Sequence, residues 1–123
     1  MIAERQAVHP STVPAAPALA RPLAPIAFDD EGFLVDPSAW TTVLACQIAL
    51  VEGVSALTPK HWQVIDIVRE RYFRLGALPV MRLVCRAAGV DPHDAHRLFR
   101  SCCSLWRIAG LPDPGPEARA YMN

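Results

Sequence analysis

Thr58-Pro-Lys-His-Trp-Gln-Val-Ile-Asp-Ile-Val-Arg-Glu-Arg-Tyr-Phe-Arg-Leu-Gly76 is the stretch that decides the fold. Thr58 sets a capping oxygen ahead of Pro59, whose fixed φ and missing N–H suit the first helical position. Trp62, Ile65, Val68, Tyr72 and Leu75 then recur at the helical period, so one face is apolar and must be covered. Gly76 stands where a left-handed residue can end the helix. An amphipathic helix of this length is the natural centre of a helical domain.

Working outward, Asp36-Pro37 and Asp91-Pro92 repeat the same helix-start construction, and Asp94 gives the second a capping-box-like spacing. Trp40, Leu44, Ile48 and Val51 share one face of an upstream helix. Gly53, Gly89 and Gly110 fall where segments should end. A short helix over 80–88 and a last helical segment from Pro92 towards Ala109 complete the set. Before them, Phe28-Asp-Asp-Glu-Gly32-Phe33-Leu-Val35 reads as a small β-hairpin around an acidic turn, which needs something to pack on. The predicted class is mainly α: a small helical domain with an N-terminal β-hairpin, an internal helix-turn-helix-like segment and a flexible C-terminal arm.

Composition sets the boundaries. Residues 1–27 hold five of the twelve prolines among many alanines and bury little, so a disordered or extended arm is expected there. The ordered domain is placed at 28–110. The C-terminal arm, 111–123, contains Pro112, Pro114 and Pro116 and should lie over the surface or in solvent. No apolar run approaches the roughly eighteen residues of a membrane span, and Met1 to Arg5 leads into no apolar signal core. A cytoplasmic protein is expected. Cys46, Cys85, Cys102 and Cys103 have no framework spacing and read as thiols.

The formal charge is zero but unevenly placed. Asp29, Asp30, Glu31, Asp36 and Glu52 form an acidic lobe without Lys or Arg, while residues 60–107 carry nine bases against four acids. Such lobes suit an oriented encounter with a partner, an internal salt-bridge network, or merely solvated faces.

No phosphate loop, Ser-His-Asp set or paired-carboxylate arrangement can be assembled, so no cofactor or small-molecule substrate is predicted and enzyme activity is left open. His93 and His96 share a helix face but have no third ligand at telling spacing, and no metal site is assigned. Cys102 and Cys103 are the candidate reactive residues; adjacent on a helix, one should face the core and the other solvent. Leu83 to Leu98 reads as helix, tight Gly89 turn, helix, with Ala88, Val90, Ala95 and Leu98 small or apolar as crossed helices require. That arrangement would present Arg82, Arg86, His96, Arg97, Arg100 and Arg107 to a protein partner or to DNA, with Asp94 opposing a phosphate.

Several segments, in order, resemble the DsrC/TusE sulfur-relay family: Phe28-Asp-Asp-Glu-Gly-Phe-Leu34, Leu57-Thr-Pro-Lys-His-Trp62, Val64-Ile65 with Arg71-Tyr72, Gly76 with Pro79 and Arg82, Leu98-Phe99, and Ile108-Ala-Gly-Leu-Pro112 with Pro114. The resemblance implies a helical domain with a hairpin and a mobile arm. It also implies a persulfide carried on a penultimate cysteine and passed among TusBCD-type complexes, a tRNA thiolase or a dissimilatory sulfite reductase. Such chemistry needs a thiolate on a flexible arm. Here the residue before Arg107-Ile108 is Trp106, and the penultimate residue is Met122, which cannot form a persulfide. Three readings follow: a regulatory or partner-docking homologue that carries no sulfur; a carrier using Cys102 or Cys103; or a DNA-binding regulator.

Overall fold

The structure is a computed structural model and describes residues 25–122; the expected Pro/Ala arm lies almost wholly outside them. Among the described residues the elements run α1 (Thr42–Val51), α2 (Pro59–Leu75), α3 (Met81–Ala88), α4 (Pro92–Phe99), α5 (Cys102–Ile108) and α6 (Pro116–Met122), preceded by a 3-10 turn at Pro37–Ala39. α2 packs along α3, α1 against α5, and α4 and α6 against α5. The buried set draws on all of them: Leu44, Ala45 and Ile48 of α1, Val64, Ile65 and Val68 of α2, Val84, Phe99, and Leu105, Trp106 and Ile108 of α5. Mainly α is therefore the class.

Capping works as the sequence implies at Thr58 and Asp91. Thr58 accepts from the His61 N–H and the His61 ring answers by accepting from the Thr58 N–H, a closed capping box. Asp91 accepts from the Asp94 N–H at 2.9 Å. Asp36-Pro37 behaves differently. It caps only the 3-10 turn, and α1 opens five residues later on Thr41, whose hydroxyl accepts from the Leu44 N–H. Trp40 is thus outside the helix it was grouped with, and Val51 is 84% exposed.

The face of α2 is also turned from the expected one. Val64, Ile65 and Val68 are fully buried, Trp62 and Tyr72 only partly, and Leu75 is exposed. The large side chains mark the edge of the stripe, and the β-branched residues between them mark its centre.

The segment expected as one helix from Pro92 to Ala109 is two. Arg100 takes φ +73°, the one non-glycine residue at positive φ among those described. Ser101 then restarts the chain by accepting from the Ser104 N–H at 3.0 Å. The hairpin exists in its smallest form, one antiparallel bridge between Phe28 and Leu34. Asp29 organises its turn by accepting from the Glu31 and Phe33 N–H groups, and Phe33 and Leu34 are both fully buried. Beyond Pro112 the chain follows the surface and then coils into α6. Pro116 opens that helix instead of breaking one.

Candidate functional site

The last turn of α5 and the segment behind it are held by three aromatic or cationic side chains. The Trp40 indole N–H donates to the Ile108 carbonyl at 2.8 Å, and an Arg69 Nη donates to the Ala109 carbonyl at 2.7 Å. The Trp106 indole N–H donates to the Pro112 carbonyl at 2.6 Å. The Arg69 guanidinium lies 3.9 Å from the Trp40 ring centre, with Phe73 at 5.0 Å, and Tyr72 meets Trp106 edge-on at 5.6 Å. Burial lowers the Arg69 pKa to about 10, with Asp66 opposing, so the guanidinium stays charged at neutral pH. Gly110, at φ +70°, lies flat on Trp40: a Cβ there would stand 2.0 Å from the indole Cδ1. Any side chain larger than hydrogen at this position would collide with the Trp40 ring.

Beside it the two charge lobes meet. Arg107 donates to Glu52 at 3.1 Å and to the Glu31 carbonyl at 3.0 Å, and stacks 4.7 Å from the Phe33 ring centre. The Ser104 hydroxyl also donates to Glu52 at 2.8 Å. Arg107 is therefore spent inside the fold, tying α5 to α1 and the hairpin. The remaining bases of the expected surface, Arg82, Arg86, His96, Arg97 and Arg100, are exposed along α3 and α4. Arg97 pairs with Asp94 at 2.7 Å, so the acid sits within that face and neutralises part of it.

The adjacent cysteines part company. Cys103 is buried and its Sγ faces the Arg119 carbonyl of α6 at 3.8 Å. Cys102 is half-buried and opens, with Cys85 of α3, onto a cavity of about 200 Å³ among α3, α4 and α5. Burial pushes the thiols of Cys46, Cys85, Cys102 and Cys103 up from their ordinary value. Arg107 and Arg119 oppose the shift at Cys103 without reversing it. No cysteine among those described is an activated thiolate at rest.

α6 closes over this end. Asp113 accepts from the Gly115 N–H at 2.9 Å and pairs with Arg119 at 2.5 Å, Arg119 approaches Glu31 at 3.9 Å, and Met122 is buried. Among the described residues no group of three His, Cys, Asp or Glu could hold a metal ion, and no helix is long and apolar enough to cross a membrane.

Sequence reasoning missed Arg69, Glu52, Cys85 and Arg119 as organising residues; His61, beside Trp62, reads in the sequence as a helix-start residue with a local hydrogen bond, and it makes that bond to Thr58. His61 Nδ1 accepts from Thr58, which leaves Nε2 to donate to the Leu98 carbonyl at 2.9 Å, stapling α2 to the end of α4. An arginine at Arg69, flanked by Val68 and beside the apolar stripe, was the one available signal; the other contacts join residues far apart in the chain.

The comparisons with known proteins agree with this architecture. The family described as DsrC like protein matches residues 23–116, ending where α6 begins. The sulfurtransferase TusE of Escherichia coli (strain K12) is 35% identical over 95 residues, covering 70% of this chain and 86% of its own. The oxidized gamma-subunit of the dissimilatory sulfite reductase (DsrC) from Archaeoglobus fulgidus superposes with a TM-score of 0.65 at 27% identity, covering 74% of this chain and 90% of its own. A chain in the crystal structure of dissimilatory sulfite reductase I (DsrI) gives 0.67 at 25% identity, with 74% and 89% covered.

Proposed function

The chain belongs to the DsrC/TusE sulfur-relay family, and from that premise we propose that it is a partner-docking homologue whose C-terminal segment delivers no sulfur. One observation carries this reading. Residues 113–123 include no cysteine, and Pro116–Met122 is folded down as α6 with Met122 buried and Arg119 held by Asp113. A delivering arm needs the reverse, a thiol at the end of a chain free to reach into a partner's site. The helical core keeps the family shape and would dock, in the cytoplasm, on the protein partners of its sulfur-transferring relatives, competing with them or regulating them.

Competition tests it. Purified full chain, titrated into a complex between TusE and one of its relay partners, should displace TusE, and afterwards should hold no sulfur that can be passed on. Failure to compete at large excess, or stable loading with transferable sulfur on Cys103, would remove the reading. A DNA-binding regulator would use the α3–α4 face, where Arg97 is neutralised by Asp94. Salt-dependent binding to duplex DNA, with affinity falling steeply as salt rises, would be its signature.

A further inference from the structure

We propose that Cys85 and Cys102 form a reactive dithiol that takes an S–S bond from a persulfide or a low-molecular-weight disulfide and closes into a Cys85–Cys102 bridge. Both line the cavity among α3, α4 and α5, whose walls are mostly apolar (Met81, Phe99, Leu105) and whose volume of about 200 Å³ admits a small sulfur compound. The two come from different helices, α3 and α5, and open onto the same cavity. Cys103 is directed away, under α6, and Cys46 is exposed on α1. The site uses residues that the arm chemistry of the family does not, and it stands whether or not the docking reading holds.

Exposure sets the order of events. Cys102 is half-buried and Cys85 buried, so Cys102 meets the incoming R–S–S–X first, where X is hydrogen in a persulfide and a second R in a disulfide. The Cys102 sulfur, giving up its proton, attacks the sulfur bearing X. The S–S bond of the donor breaks, its electron pair leaves on R–S, and R–S takes the proton as R–SH. Cys102 now carries –S–X. Cys85 loses its proton and attacks the Cys102 sulfur, and HS–X departs: hydrogen sulfide from a persulfide, a second thiol from a disulfide. Two protein thiols are oxidised and one donor S–S bond is reduced. Arg82 and His96 line the same opening, so the first thiolate leaves past a guanidinium. The apolar walls keep both thiols protonated at rest, with Asp91 adding to the effect at Cys85. The bridge ties α3 to α5 across α4 and fixes the face that bears Arg82, Arg86 and His96.

The test uses the full chain carrying Cys46→Ser, to suppress bridges between molecules, incubated separately with oxidised glutathione and with glutathione persulfide. Non-reducing peptide mapping should find residues 85 and 102 joined, with sulfide released in the persulfide arm. A bridge in one arm alone supports the dithiol and identifies its donor. Adding Cys85→Ser should stop the reaction with glutathione, or one extra sulfur, held on Cys102. Cys102→Ser should abolish both products, and Cys103→Ser should change neither. Melting of each variant, with Cys102→Ala as a second choice, separates lost chemistry from lost folding. Adducts on Cys103, or an 85–102 bridge that forms only in denaturant, would overturn the proposal.

Discussion

Two consecutive stretches of this chain are held in place by different physics. From Ile108 to Pro112 the backbone is fixed by partly buried donors and packed rings: Trp40, Arg69 and Trp106 each satisfy one carbonyl, and Gly110 is in contact with an indole. From Pro116 to Met122 the chain is held by an exposed ion pair, a turn carboxylate and one buried methionine. The first lies within the stretch that matches the family, and the second starts where that match ends. Hydrogen bonds shielded by packed rings are costly to leave unmade, whereas exposed ion pairs trade against water almost evenly.

The comparison breaks most sharply at Gly110. Gly110→Ala would force a Cβ to within 2.0 Å of the Trp40 ring at φ +70°, and should cost about 3 kcal/mol or more, since overpacking and left-handed strain add. A urea midpoint within error of wild type would show that Trp40 can swing aside.

Next come the tryptophans. Trp106→Ala removes a ring that is 1% exposed together with its hydrogen bond to Pro112, and should cost about 3–5 kcal/mol. Trp62→Ala removes a ring at the edge of the α2 stripe and should cost about 1–2 kcal/mol, in line with partial burial. Equal losses in thermal melting would mean that the edge of α2 is as tightly packed as α5.

The tryptophans also show what could be read from the chain alone. Helix existence was legible because its signals are local: Thr58-Pro59, Asp91-Pro92 and Gly76 each act within one turn. The phase of α2 was harder, because Trp62 and Leu75 are large and apolar yet marginal, while Val64 is modest and central. The break at Arg100 was hidden because arginine is no turn residue; Ser101 with Ser104 was the clue, being a cap spacing inside an apparent helix. The cavity between Cys85 and Cys102 and the clamp of Arg69 on Ala109 join residues distant in the chain, where no periodicity reports. α6 was obscured by prolines, which read as breakers although one of them can open a helix.

A smaller effect is expected at the far end. Removing residues 116–123 should lower the melting temperature by only a few degrees, as loss of about 1 kcal/mol would. It should nevertheless speed thiol labelling of Cys103 well above that of Cys85, because α6 lies over the Cys103 sulfur. Unchanged labelling in the truncated chain would show that the core alone shields it.

The smallest expected effect is a response of α6 to acid. The Gly115 N–H, together with Arg119, holds the Asp113 carboxyl below the usual carboxylate range, and the same pairing raises Arg119. A carboxyl whose folded pKa lies under its unfolded value favours the folded form above the unfolded pKa and loses that contribution as pH falls through the folded one. The contribution of Asp113 to α6 docking is thus complete at neutral pH and fades below about pH 4, where the unfolded carboxyl would begin to titrate. Arginine keeps its charge throughout, so the change belongs to the acid. Amide hydrogen exchange, corrected for its intrinsic pH dependence, should show residues 117–122 losing protection as the pH falls below about 4 while α5 keeps its own. Asp113→Asn should show weakened α6 protection already at neutral pH and no further step of its own on acidification. If the variant instead titrates like wild type, another carboxylate governs the helix.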